Sequence, residues 1–453
     1  MNKKYIVKNT YKALSLLVAF LSSCWLWYIN ISLYWDEDYA GYTTLFLVGI
    51  FFCVVYWTFA KMYDAQKIGI YRLTELAYSQ MLAFFIADIA LFIESAIWFH
   101  GVERLRIWPY IIGFLTQMVT IVVIIFVMNR LHAKYDEPRK LLIVYGVQSY
   151  GNLVRKIKAK KRRYRLIDCL SDNTDILEIK EKIKECDGLY LYQVDEELKR
   201  ELVRYCDMIG RDIYLTLTVD DLLILGLEVS HTFDTPFIRT KHTPVNWYYP
   251  FVKRMFDIIC SGIALVVLSP IFLIVAIAIK VYDGGPVLFT QKRITEGHRE
   301  FLIYKFRSMV VDAEANGMRR ATSNDERITP VGKVIRATRI DELPQLLNII
   351  KGDMSIVGPR PERSELDEAY TRQIPDFSNR LKVRAGLTGY AQVFGKYNTT
   401  PEDKLKLDML YINQRSIMLD LKLILYTIKI MFTPESTEGF DEEETIFEDL
   451  DNI

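Results

Sequence analysis

The sequence predicts a membrane α-helical block followed by an α/β middle domain and a mostly α C-terminal domain that carries a re-entrant membrane helix. Three observations predict this class. The first third holds four apolar stretches, each of about the 20 residues that a helix needs to cross the hydrocarbon core. The middle alternates β-branched runs with polar helical segments, the pattern of a parallel sheet. A fifth apolar run, in the C-terminal part, is basic at both ends and has a proline near its centre. The chain has 453 residues, room for several domains, and 51% of them are hydrophobic, which suits a membrane protein with large water-facing parts. A net charge of +1 points to neither nucleic acid nor an acidic partner.

Residues 1–135 form the membrane block. Its apolar stretches run over roughly 13–34, 42–60, 79–99 and 108–128. Lys3, Lys4, Lys8 and Lys12 precede the first stretch, and Asp36, Glu37 and Asp38 follow it. Lys61, Lys67 and Arg72 follow the second; Arg130, Lys134, Arg139 and Lys140 follow the fourth. Basic flanks stay on the cytoplasmic side, so the block is multi-pass with both ends inside. Arg104 and Arg106 run against the trend. Trp35, Trp98 and Trp108 suit an interfacial belt. The first run lacks a small-residue cleavage site and reads as an anchor. The six cysteines show neither C-x-x-C nor zinc spacing and read as free thiols.

Residues 136–245 read as a Rossmann-like cytoplasmic domain. Strands are expected at 141–145, 165–169, 188–192 and 212–217, with a helix at 152–161. Gly146 and Gly151 hold the outer positions of G-x-G-x-x-G. The central position is Gln148, whose side chain obstructs the close approach of a pyrophosphate. A spacer or regulatory fold without dinucleotide is the reading, with a bound nucleotide as the alternative.

The fifth apolar run lies within 253–281. Lys253-Arg254 open it, Lys280 stands at its end, and Lys292 and Arg293 follow. Ser269-Pro270 breaks it, because proline lacks a backbone donor and clashes with the preceding turn. The run reads as a helix that enters from the cytoplasm and returns to the same face. The Ser269 hydroxyl is the expected partner for the freed backbone groups. A proline-kinked fifth span is the alternative.

The chemistry is expected around Asp341-Glu342-Leu343-Pro344-Gln345. Leu343, Leu346, Leu347 and Ile350 fall on one face of a helix, Pro344 suits its first turn and Gly352 its stop. Free N–H groups at a helix start favour anions, including phosphate, and would keep Asp341 ionised. N-capping by Asp341 is the plain alternative. Lys305, Arg307, Arg336, Arg339, Arg360 and Arg384 surround the pair in sequence. That many cations near two carboxylates suggests recognition of phosphate and neutralisation of a reacting phosphoryl group.

With these residues in place, the stretch from Lys253 to Thr433 closely resembles the bacterial polyprenyl-phosphate sugar-1-phosphate transferases, of the monotopic phosphoglycosyl transferase superfamily. The likeness runs through Lys253-Arg254, Asp257, Ser269-Pro270, Gly285-Pro286, Gln291-Lys292-Arg293 and Tyr304 to Met309. It continues through Asp341 to Gln345, Asn348, Gly352 to Ser355, Val357 to Glu362, Gly386 to Gly389, Asp408, Tyr411 and Asp420. Residues 246–433 would be the transferase domain, with the four preceding spans and the middle domain making the long form. The resemblance implies transfer of a sugar-1-phosphate from a UDP-sugar to undecaprenyl phosphate, as the first membrane step of exopolysaccharide, capsule or O-antigen synthesis. It implies that Asp341 forms a covalent phosphosugar intermediate with release of UMP, and that Asp341 and Glu342 hold Mg²⁺. Lys305, Arg307, Arg336, Arg360 and Arg384 would bind phosphate or substrate, and the re-entrant helix would hold the domain on the cytoplasmic face of the bacterial inner membrane. The chain departs from the family pattern at Thr295 and His298, where glycine is usual, and at Glu326 and Ala385, where proline is usual. The sugar stays open, as do a homodimer, a non-catalytic scaffold and direct displacement without a covalent intermediate. Residues 434–453 read as a solvated acidic tail.

Overall fold

The computed structural model describes residues 3–34, 42–98, 105–135, 138–146, 151–158, 164–216, 218–219, 221–222, 228–232, 235–239, 248–311, 313, 325–395 and 399–431. The acidic tail, Gln148 and Glu326 were all read from sequence; Glu326 lies within the described residues, whereas the tail and Gln148 lie outside them. The chain folds as two compact units, 1–216 and 217–453.

The first unit opens with four helices: α1 (Lys3–Tyr34), α2 (Tyr42–Met62), α3 (Leu73–Trp98) and α4 (Ile107–Tyr135). Each is long and apolar enough to cross a membrane. They pack as a ring, α1 and α3 each lying against both α2 and α4. Phe46, Leu47, Ile97 and Val119 face outward, while polar groups turn inward. Tyr56 donates to Gln80 at 2.6 Å, and Gln117 donates to Asp88 at 3.1 Å. This inversion of the soluble pattern is what lipid demands, since apolar surface is at home outside and buried polar groups bond to one another.

The same unit continues with β1 (Arg139–Tyr145), α5 (Gly151–Lys158), β2 (Tyr164–Ser171), α6 (Ile176–Lys184), β3 (Gly188–Tyr192), α7 (Glu196–Met208) and β4 (Asp212–Leu215). The strands form one parallel sheet in the order β2-β1-β3-β4. Leu142, Val144, Leu189 and Leu191 meet Ile179 and Leu202 in its core. The four expected strands are present, the last ending at Leu215. A Cβ on Gly146 would lie 2.3 Å from the Gln193 carbonyl oxygen and 2.7 Å from the Asp172 carboxylate. Packing within the unit therefore already requires glycine there, and that residue no longer argues for a phosphate.

The second unit begins with the hairpin β5 (Glu228–Thr232) and β6 (Thr235–Arg239). Helices α8 (Tyr249–Val267) and α9 (Ser269–Asp283) follow and meet at 60°. The bend has the predicted cause: Pro270 sits in the first turn of α9, and the Ser269 hydroxyl donates to the Val266 carbonyl at 2.7 Å. A pair bent in this way is either a broken span or a loop that returns to its own side. Then come β7 (Leu288–Thr295) and β8 (Arg299–Phe306), an antiparallel pair, and α10 (Pro330–Ala337). After a single 3-10 turn, Ile340–Glu342, follow α11 (Gln345–Lys351), β9 (Met354–Val357), α12 (Ser364–Gln373) and a second 3-10 segment, Pro375–Lys382. The order closes with β10 (Ala385–Thr388), which pairs in parallel with β9, and with α13 (Tyr390–Phe394), α14 (Pro401–Gln414) and α15 (Ile417–Met431).

Polar residues near the start of the bent pair tie it to the rest of this unit. Arg254 donates to the carbonyls of Ile349 at 2.7 Å and Ile350 at 2.8 Å, capping α11. Asp257 accepts from the Ile356 backbone at 3.1 Å. Tyr249 and Lys253 both bond Asp420, at 2.8 and 2.9 Å. The apolar pair is thus fastened directly to the helix that follows Asp341-Glu342.

Candidate active site

Asp341 and Glu342 sit in the 3-10 turn Ile340–Glu342, and the α-helix begins only at Gln345. The turn is entered through Arg339, whose φ of 54° and ψ of 19° place it in the left-handed region. That conformation costs a residue with a Cβ roughly 1 kcal/mol or more. The expected helix face is kept at Leu346 but lost at Leu347 and Ile350. Gln345, Leu346, Asn348 and Ile349 are buried, whereas Leu347 and Ile350 are each 38% exposed. The reason is Asn348, which accepts from Tyr304 N at 3.0 Å and donates to Leu302 O at 2.7 Å. Its amide continues the ladder of β8 and so holds α11 against the strand that carries Lys305.

That attachment brings the charges together. Glu342 Oε1 accepts from Lys305 Nζ at 2.9 Å and from Arg360 at 2.8 Å. Burial alone would raise the Glu342 pKa, but Arg360 and Lys305 outweigh it and hold the carboxyl far below its ordinary range. Burial holds the Lys305 ammonium below its ordinary range, and Glu342 offsets only part of that. Asp341 is in the opposite state. Among the described residues its carboxylate takes no side-chain hydrogen bond. Burial and the Glu342 charge push its pKa up, against Lys305, Arg336 and Arg360. A helix start does not keep Asp341 ionised, as the sequence suggested; three cations oppose its protonation through space. One carboxylate is anchored by two cations and the other takes no side-chain hydrogen bond.

The remaining predicted cations divide. Arg336, bonded through Nε to Ser308 Oγ at 2.8 Å, acts on Asp341, and Arg360 joins the centre directly. Arg307 does not join them. It is 7% exposed, paired with Asp283 and packed over Gly285, where it fixes the end of α9. Arg384 faces Glu296, with Nε 3.6 Å from that carboxylate, and touches neither Asp341 nor Glu342.

Comparison with known proteins decides the family. A family model described as "Bacterial sugar transferase" matches residues 248–434. The exopolysaccharide production protein PSS of Rhizobium leguminosarum bv. phaseoli is 39% identical over 186 residues, 39% of this chain and 93% of that protein. The chain belongs to the bacterial sugar transferase family. This family member is also 38% identical to a UDP-glucose:undecaprenyl-phosphate glucose-1-phosphate transferase of Caulobacter vibrioides over 189 residues, 41% of this chain and 71% of that protein. It is 38% identical over 245 residues to a UDP-N-acetylgalactosamine-undecaprenyl-phosphate N-acetylgalactosaminephosphotransferase of Aeromonas hydrophila, 53% of this chain and 57% of that protein. The match spans about half the length of several further curated relatives.

Two departures of this sugar transferase from the expected pattern prove to be one feature. Thr295 Oγ1 donates to Asp353 O at 2.8 Å and accepts from Ala385 N at 3.1 Å. A proline at 385 would have no hydrogen to donate, and a glycine at 295 would have nothing to accept it. Thr295→Gly should therefore strand a buried donor and lower stability by about 1–3 kcal/mol. Adding Ala385→Pro removes that donor, so the double variant should melt above Thr295→Gly alone. A melt at or below the single variant would reject the coupling. His298 departs less, because its φ of 61° is the conformation a glycine would adopt freely.

Sequence reasoning missed a second charge cluster behind the first. Arg380 bonds Asp408 at 2.9 Å and lies 3.5 Å from Glu362, which also pairs with Lys404. Burial opposes the charge on Glu362, yet Lys404 and Arg380 hold its carboxyl down at about 2. Asp408 and Glu362 stood within the recognised motifs, but nothing local marked Arg380.

Among the described residues no three His, Cys, Asp or Glu side chains converge as a metal cage. Magnesium rarely needs one; it takes one or two carboxylates and completes its shell with phosphate oxygens and water. The unbonded Asp341 carboxylate and the Glu342 oxygen that takes neither Lys305 nor Arg360 fit that donor set.

Proposed function

We propose that the protein transfers a sugar-1-phosphate from a UDP-sugar to undecaprenyl phosphate, releasing UMP, in the first membrane step of surface or exopolysaccharide synthesis. The observation that carries this reading is the unbonded Asp341 carboxylate beside a Glu342 held ionised by Lys305 and Arg360. The names of two of the relatives supply the substrate classes, both of them naming undecaprenyl phosphate and a UDP-sugar. The sugar is left open, because those relatives differ in it.

In this reading an Asp341 oxygen bonds to the β-phosphorus of the donor as the bond to the α-phosphate oxygen breaks, and UMP leaves. An oxygen of undecaprenyl phosphate then bonds to the same phosphorus, and the Asp341 carboxylate is released. Splitting the exchange into two displacements lets one carboxylate serve a water-soluble donor and a lipid acceptor in turn. Arg336 and Arg360 offset charge on the reacting phosphoryl group, and Lys305 keeps Glu342 in place. Mg²⁺, held by Asp341 and Glu342, would neutralise the donor pyrophosphate. Incubation with a panel of UDP-sugars, Mg²⁺ and undecaprenyl phosphate tests the reading: one sugar should release UMP, and release from none rejects it.

The same reading makes α8 and α9 a re-entrant pair on the cytoplasmic face of the bacterial inner membrane. The 60° bend and the fastening of both α8 and α11 to one another support it. In a background without the native cysteines, Tyr282→Cys should react with impermeant maleimide only from the cytoplasmic side. Reaction only from the outside would make the pair a fifth span.

A further inference from the structure

The segment that carries Arg360 is held by its backbone. Four consecutive carbonyls each take a donor: Pro359 O from Gly386 N at 2.8 Å, Arg360 O from Arg380 at 2.7 Å, Pro361 O from Arg293 at 3.1 Å and Glu362 O from Ile294 N at 3.1 Å. The approach is close enough that a Cβ on Gly386 would lie 2.1 Å from Gly358 N. In this irregular stretch two of the four donors are guanidinium groups. Arg380 is only 1% exposed, and so is its partner Asp408. Burying such a pair is not an efficient way to gain stability, since apolar side chains of similar volume serve as well or better. What the pair provides here is a fixed donor aimed at one carbonyl.

That carbonyl belongs to the residue whose aim matters. The Arg360 side chain is 39% exposed and meets Glu342 at 2.8 Å. A long guanidinium side chain carries about 2 kcal/mol of rotamer entropy, and its outer side here faces open space. Its direction depends on the bond to Glu342 and on where the backbone starts it. A displacement of about 1 Å in such a group can reduce a rate about a hundredfold.

We propose that Arg380, held by Asp408 and Glu362, is a positioning residue for the transfer reaction: it fixes the Arg360 backbone so that the Arg360 guanidinium is aimed at Glu342 and at the phosphoryl group in transit. The inference rests on the transferase reading given above. It differs from a purely structural role in acting on turnover more than on stability or donor affinity.

Two variants of the full-length protein test it. Arg380→Lys keeps a positive charge near Asp408 and Glu362 but cannot span carboxylate and carbonyl together. Arg380→Met with Asp408→Leu removes the ion pair whole, so no unpaired charge is left buried. In both, kcat for UMP release should fall by about 10- to 100-fold, while KM for the UDP-sugar stays within about threefold. Hydrogen exchange should quicken at the amides of Gly386 and Ile294 and stay unchanged in α11. A kcat that falls only in proportion to the folded fraction overturns the proposal, as does a wild-type kcat in both variants. Exchange unchanged at both amides also overturns it, whether or not UMP is released. Wild-type protein that releases no UMP would reject the transferase reading alone, with exchange still deciding the clamp.

Discussion

Asp341→Asn is expected to abolish UMP release, by about a thousandfold or more, in protein that stays fully folded. The amide has nearly the shape of the carboxylate but no charge to form a bond to phosphorus. Stability should not suffer, and the sign follows from the environment. Burial and Glu342 raise the Asp341 pKa, so the fold favours the neutral form and is opposed by ionisation as pH rises. Removing the charge removes that opposition, and the Asn variant should melt no lower than the parent at neutral pH. The same logic predicts that wild-type activity declines on acidification as Asp341 takes a proton, while Glu342 is still ionised. UMP release and melting temperature, measured on one preparation, check both parts. An Asn variant with wild-type turnover would remove Asp341 from the chemistry, and mass spectrometry of wild-type protein quenched during turnover should find a phosphosugar on Asp341.

Arg360→Ala should lower UMP release by about a hundred- to a thousandfold, the size seen when one preorganised donor is lost from a reacting centre. It should also change the pH dependence. Burial pushes the Glu342 carboxyl up, and Arg360, with Lys305, holds it down. A depressed carboxyl contributes stability that is present above the ordinary glutamate range and lost as pH falls through the folded pKa. Without Arg360 only Lys305 opposes burial, so Glu342 should protonate at a higher pH than in the parent. The acid side of the rate profile and the acid fall in melting temperature should both begin earlier. Arg360→Lys should recover only part of the loss, because one ammonium cannot reproduce a planar fork. Profiles that coincide with the parent would show that the Arg360–Glu342 bond is idle in turnover.

Much of this could be read from the sequence because the signals were long or local. Four apolar stretches announce four helices by length alone, and a run such as Leu141 to Tyr145 announces a buried strand by composition. Ser269-Pro270 announced the bend, down to the hydroxyl that takes a freed carbonyl. Asp341 and Glu342 stood out only because their neighbours in sequence matched an ordered set of motifs.

What was misread has a common cause. The helix after the pair was assigned its inner face by apolar spacing, yet an amide at Asn348 replaces a strand neighbour and turns Leu347 and Ile350 outward. Counting arginines near the pair could not separate Arg336 and Arg360, which act on it, from Arg307 and Arg384, which answer to Asp283 and Glu296. Arg380 meets Asp408 across 28 residues, with no periodicity to connect them. Pairings made by tertiary folding leave no local pattern, and these errors are all of that kind.

The left-handed residue Arg339 has a consequence for any attempt to make the protein hardier. Glycine at this position would adopt the same φ without strain, and by that measure would stabilise the folded chain. It would also widen the range of directions from which the peptide enters the turn two residues before Asp341. Heat resistance and the aim of the Asp341 carboxylate are therefore set against each other at a single backbone position.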